Sequence, residues 1–177
     1  DEVDKANEKL NKKFEKLNSL LNGKKDGKEV TAEEAIKTEF IDLSDKDVED
    51  INPDLVGKAI ESNNHKLEVL NKEIIDQMTT IQEAQVQQQA RMKKLMQLAE
   101  QNKGLKGSID INNEIKQEQL LAQQYSNQIE ALTAKKQSLN QTVERINERN
   151  ADKLTEKAFL ELDNAQNKAK AFVDSKQ

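Results

Sequence analysis

The chain has no cysteine and no tryptophan, one proline, five glycines and one histidine among its 177 residues. Without cysteine there is no disulfide, no thiol nucleophile and no sulfur ligand for a metal, and the redox compartment stays open. A lone histidine, His65, cannot assemble an N/S metal site, so no cofactor or metal is expected. With so little Pro and Gly the chain has few places to turn. Aromatics make up only 3%, which leaves too little bulky apolar material for a large globular core; a thin seam is expected instead. No run of eighteen apolar residues occurs, so no membrane span is expected. No signal peptide is recognisable, and the chain starts at Asp1 without Met, as a processed or trimmed form would.

What is abundant is charge, at 34%, together with Ala, Glu, Lys, Leu and Gln, the residues of long helices. The net charge of −5 argues against non-specific nucleic-acid binding. Its distribution is uneven. Residues 1–28 hold eight Lys against six acids, whereas residues 29–54 hold ten acids against two Lys.

Residues 54–102 organise the rest. Ile60, Leu67, Ile74, Ile81, Gln88 and Leu95 recur at sevens, with Leu70, Met78, Ala84, Met92 and Leu98 between them. That is a helical seam about six heptads long, which cannot bury itself and needs a partner of similar length. The sequence around Gly104 and Gly107 then favours a turn, and Ser108 is placed to open a return helix with Asp110 in its first turn. The return seam has two interleaved series: Ile115, Ala122, Ile129, Lys136 and Val143, and Tyr125, Leu132, Leu139 and Ile146. A short loop forces residues 54–102 and 108–150 antiparallel. Gln88 and Lys136 interrupt the seam; such residues either fix register or mark a loose point facing solvent, and the second reading is the simpler. The apolar rhythm breaks at residues 147–152 and resumes at Leu154, Ala158, Leu162, Ala165, Ala169 and Phe172. Either the return helix continues or it breaks near Asn150, with the Ala positions suggesting close approach to another helix.

Upstream, Ala6, Leu10, Phe14, Leu17 and Leu21, preceded by Val3, predict a helix over residues 2–22, ended by Gly23. Residues 23–28 read as a polar loop. In residues 29–54, Thr31 with Glu34 is a capping-box pattern opening a short helix with Ile36, Phe40 and Leu43 inward. Ser44 is expected to cap a second short helix, and Pro53 fits the first turn of the long one. The fold class expected is all-α: one elongated domain over residues 1–177, a three-helix bundle built on a long antiparallel hairpin, with residues 29–54 as a small acidic helical appendage.

Chemistry is sparse. Asp45, Asp47 and Glu49 alternate like the start of a calcium loop, but Asp50 stands where Gly is required and Val56 where Glu is required; carboxylates near a helix N-terminus account for them. Gly104 and Gly107 lack the residues of a phosphate loop. The lysines of the first helix are interleaved with Glu8 and Glu15, as on a solvated face. His65 reads as a solvated helix residue, and no catalytic residue is expected.

The hairpin wording carries a resemblance. Ala90-Arg-Met-Lys-Lys-Leu-Met-Gln-Leu98, a short polar turn, Ser108-Ile-Asp-Ile-Asn-Asn-Glu-Ile115 and Lys116-Gln-Glu-Gln-Leu-Leu121 resemble the minor pilins of bacterial type IV secretion systems, of the TraC type, over residues 81–146. That resemblance implies an elongated three-helix bundle with a loose helical appendage, export to the periplasm, and assembly at the tip of a transfer pilus. There the protein would aid pilus assembly and contact with a recipient cell, with other secretion-system or pilus subunits and a recipient-cell receptor as partners. It implies no catalytic residues. A narrower expectation is that the appendage binds a partner through Ile36, Phe40, Ile41, Leu43, Asp45 and Asp47. The alternative class is a cytoplasmic coiled-coil adaptor or chaperone, which the hairpin alone would equally support.

Overall fold

The computed structural model describes residues 5, 8, 9, 12–25 and 28–176. The fold is an all-α helical hairpin bundle. Helix α1 spans Glu15–Leu21, α2 Ala32–Glu39, α3 Pro53–Gln101 and α4 Ser108–Ser175. A two-residue antiparallel ribbon pairs β1 (Lys24–Lys25) with β2 (Lys28–Glu29), Lys24 facing Glu29.

Local chemistry sets these boundaries. The Thr31 hydroxyl accepts a hydrogen bond from Glu34 N at 3.1 Å and caps α2. Asn52 Oδ1 accepts from Leu55 N at 2.8 Å, so α3 starts at Pro53, where a missing donor costs nothing. Gly23 has φ 77°, and a Cβ there would lie 2.3 Å from the Val30 carbonyl oxygen, so both conformation and space demand glycine. Gly104, at φ 82°, shapes the turn between α3 and α4.

Several boundaries differ from those read in the sequence. Residues 5, 8, 9, 12 and 13 are helical, but Phe14 is a turn and the continuous α1 begins at Glu15; Val3, Ala6 and Leu10 lie outside the described residues. The segment read as a polar loop carries the β1–β2 ribbon, whose Asp26-Gly27 connection, a known hairpin signal, also lies outside them. Ser44 opens no helix. Asp42 Oδ1 accepts from Ser44 N at 3.0 Å, a local turn that competes with helix formation, and the only helical turn that follows is a 3-10 turn at Val48–Asp50. Of the two courses left open at Asn150, continuation is the one observed: α4 runs on to Ser175.

The long helices pass through two compact units. The first comprises Asp1–Leu17 and Asn71–Gln137. Its buried side chains include Phe14, Leu17, Ile74, Ile81, Leu121, Tyr125 and Leu132. Gln88 is buried, not at a loose solvent-facing point: its Nε2 donates to the Glu118 carbonyl at 3.0 Å, and Arg91 Nε pairs with Glu118 Oε1 at 2.8 Å. Gln77 is less well accommodated, because its buried Oε1 has no hydrogen-bond partner. Leucine there removes that penalty while keeping most of the volume. Gln77→Leu is therefore expected to raise stability by about 1 kcal/mol, read as a higher urea midpoint at unchanged slope.

The second unit comprises Asn18–Leu70 and Ser138–Gln177. Leu43, Ile51, Val56 and Ala59 form one buried cluster, with Leu55, Ile60 and Leu154 packed against it. Leu139, Val143 and Ile146 of α4 are fully buried. From Ala158 onward every described side chain is exposed, so the tail does not fold back as a further helix of the bundle.

Candidate functional site

The chain's most constrained polar constellation lies in the second unit, where residues 39–52 are fastened to both long helices. The extended segment after α2 has backbone groups that no helix or strand satisfies, and two buried asparagines take them up. Asn63 on α3 grips Ile41 at both backbone groups: its Oδ1 accepts from Ile41 N at 2.8 Å and its Nδ2 donates to Ile41 O at 2.9 Å. Asn150 on α4 spans two residues, with Oδ1 accepting from Leu43 N at 2.7 Å and Nδ2 donating to Ile41 O at 2.8 Å. Asn63 Nδ2 also donates to Asn147 Oδ1 at 3.0 Å, and Asn147 Nδ2 to Asn64 Oδ1 at 2.9 Å. The side chains of Asn63 and Asn150 are 1% and 0% exposed, so their bonds to residues 41 and 43 are shielded from water, whereas the Asn147–Asn64 bond is exposed.

Charged contacts surround the clamp. Lys66 Nζ pairs with Glu39 Oε2 at 2.8 Å, Arg149 with Asp42 Oδ2 at 3.2 Å, and Lys157 donates to the Ile51 carbonyl. Burial pushes the Asp42 carboxyl up, but hydrogen bonds from the Ser44 hydroxyl and N–H and from Arg149, with the Arg149 charge, outweigh it and hold the pKa below the usual aspartate value. A depressed folded-state pKa adds stability above the unfolded-state value of about 4, lost as pH falls through the folded value. Asp42→Asn should therefore flatten the loss of stability on acidification below about pH 4 while leaving its shape above pH 5 unchanged; urea midpoints across that range measure it.

The six residues expected to bind a partner divide sharply. Ile36, Phe40 and Leu43 are 1%, 5% and 7% exposed and belong to the core. Ile41, Asp45 and Asp47 face solvent. Truncating Phe40 would thus perturb packing directly instead of testing contact with a partner. His65 is exposed. Among the described residues no group of three or more His, Cys, Asp or Glu side chains is placed to hold a metal ion.

A second surface lies at the hairpin turn, in the first unit. Met96, Leu98, Leu105 and Ile109 are exposed there. They stand among Arg91, Lys93, Lys94, Lys103 and Lys106, with Glu100 and Asp110 the only acids in residues 91–110. Exposed apolar residues among mostly basic ones suit surface contact, although Glu118 pairs with Arg91. The heptad spacing places Leu98 in the seam and so conceals this surface, whereas α3 is mostly exposed over its last turns.

Fold and constellation together define a helical hairpin bundle with a clamped helical insert. No protein-family model, curated protein or solved structure matches the chain. No helix among the described residues is long and apolar enough to cross a membrane.

Proposed function

We propose that the protein is a non-enzymatic component of a type IV secretion or conjugation pilus: an exported minor pilin that aids assembly and contact with a recipient cell. The observation that carries this reading is the hairpin itself. The segment whose wording resembles those minor pilins, residues 81–146, comprises the turn and the adjoining stretches of two long packed helices, α3 and α4, and a small helical insert is fastened to the same two helices. The exposed apolar residues of the basic turn supply a contact surface for other pilus subunits or a cell surface. At the insert, the contact residues would be Ile41, Asp45 and Asp47, which are accessible.

Cell fractionation tests the reading. The protein is expected in the periplasm and in sheared surface filaments, synthesised as a longer precursor. Recovery from the cytoplasm alone would overturn it in favour of a helical adaptor or chaperone. Charge reversal of Asp45 and Asp47 then separates the insert's part: pilus assembly should fall while helical content stays unchanged.

A further inference from the structure

The tail of α4 has an apolar stripe whose described side chains are all exposed. Phe159, Leu162, Phe172 and Val173 are 66%, 54%, 64% and 56% exposed. Ala158, Leu162, Ala165, Ala169 and Phe172 follow one another at intervals of four and three, which places them on one face of the helix. Scattered exposed apolar residues are ordinary, but a continuous heptad seam on a solvated helix is not. The charges beside it divide unevenly: Glu156, Glu161 and Asp163 outnumber Lys157 in the first half, and the second half holds only Lys168 and Lys170.

We propose that residues 155–172 form a self-association segment, pairing antiparallel with the same residues of a second copy of this chain. One register satisfies both the seam and its charges. Leu162 of one copy packs against Ala165 of the other and Phe172 against Thr155, large against small, while the Ala158–Ala169 layers between them let the helices approach closely. Glu161 and Lys168, seven residues apart on the same flank, then stand opposite each other across the interface. Twofold symmetry makes that pair twice. A parallel pairing would set acidic half beside acidic half. The apolar seam supplies the affinity, and the charges select the orientation, since exposed ion pairs each contribute little. A single pair of helices this short buries less than a standard interface, so the dimer forms in the micromolar range or weaker.

Sedimentation velocity of the full chain from about 5 to 500 μM tests this, with circular dichroism to establish that each variant stays helical. Wild type is expected to shift from monomer to dimer across that range. Leu162→Asp should weaken association at least tenfold. Glu161→Lys and Lys168→Glu should each weaken it alone, and an equimolar mixture of the two should associate as wild type does, because each variant supplies the charge the other lacks. A wild type that stays monomeric throughout, or a Glu161→Lys protein that associates as tightly as wild type, overturns the proposal. So does a stripe that binds anionic vesicles without self-association.

Discussion

Asn150→Ala is expected to destabilise the protein by about 2–4 kcal/mol, although it replaces a polar residue at a helical position with the best helix former. The fully buried Asn150 amide holds Leu43 N–H in a bond excluded from water and Ile41 C=O in a part-buried one. Removing it leaves the Leu43 donor buried and unmatched, which costs about 1–3 kcal/mol. Ile41 C=O keeps the bond from Asn63, so its loss is partial. The remaining cost is that of a small cavity where Asn150 stood. Equilibrium unfolding in urea measures the total. Amide exchange localises it: the Leu43 N–H should exchange faster than the interior of α3 in the variant, because residues 41–43 are released before the helices part. Asn150→Asp is sharper still. It keeps the size and one acceptor but buries a charge and loses the donor to Ile41, so its loss should exceed that of Asn150→Ala at neutral pH and shrink as the carboxyl is protonated.

The same residue shows where sequence reading stopped. Helical periodicity located α3, the turn and α4 because seams at sevens are a signal carried by many residues at once. It could not decide the course of the chain at residues 147–152, because it scores asparagine as an interruption. Asn147 and Asn150 do interrupt the apolar seam, yet they face polar partners: Asn150, fully buried, bonds to backbone groups of Ile41 and Leu43 about a hundred residues earlier, and half-buried Asn147 bonds to the side chains of Asn63 and Asn64 on α3. Gln88 shows the same limit: its partner is the carbonyl of Glu118 on the facing helix, which periodicity does not register. Polar atoms that recognise backbone leave no trace in a hydrophobic pattern. The expected contact residues of the insert show the converse limit. Ile36, Phe40, Ile41 and Leu43 are alike as apolar residues, and only tertiary packing separates the exposed Ile41 from the other three. The tail shows the opposite limit, since its seam is as regular as the buried ones but every described side chain from Ala158 onward is exposed.

Ile146→Ala should cost about 2–5 kcal/mol, and Ile129→Ala about 1 kcal/mol or less, though both are isoleucines at heptad positions of α4. The sequence offers two interleaved series on this helix and no means of ranking them, because each repeats every seven residues. Packing ranks them. Tyr125, Leu132, Leu139 and Ile146 are 8%, 5%, 0% and 0% exposed, so this series is the core of its face. Ile115, Ala122, Ile129 and Lys136 of the other series are only half-buried, and Val143 alone among them is fully enclosed. Truncating a fully enclosed Ile removes its transfer free energy and leaves a cavity that the surrounding helices cannot close. A half-exposed Ile loses contacts on one side only, and water fills the space without penalty. Urea midpoints for the two variants, at equal slope, test the ranking. Equal losses would mean that both series are buried, as they would be if a further helix covered the flank of α4 on which Ile129 lies. A larger loss for Ile129→Ala would mean that the helix is rotated about its axis from the orientation described.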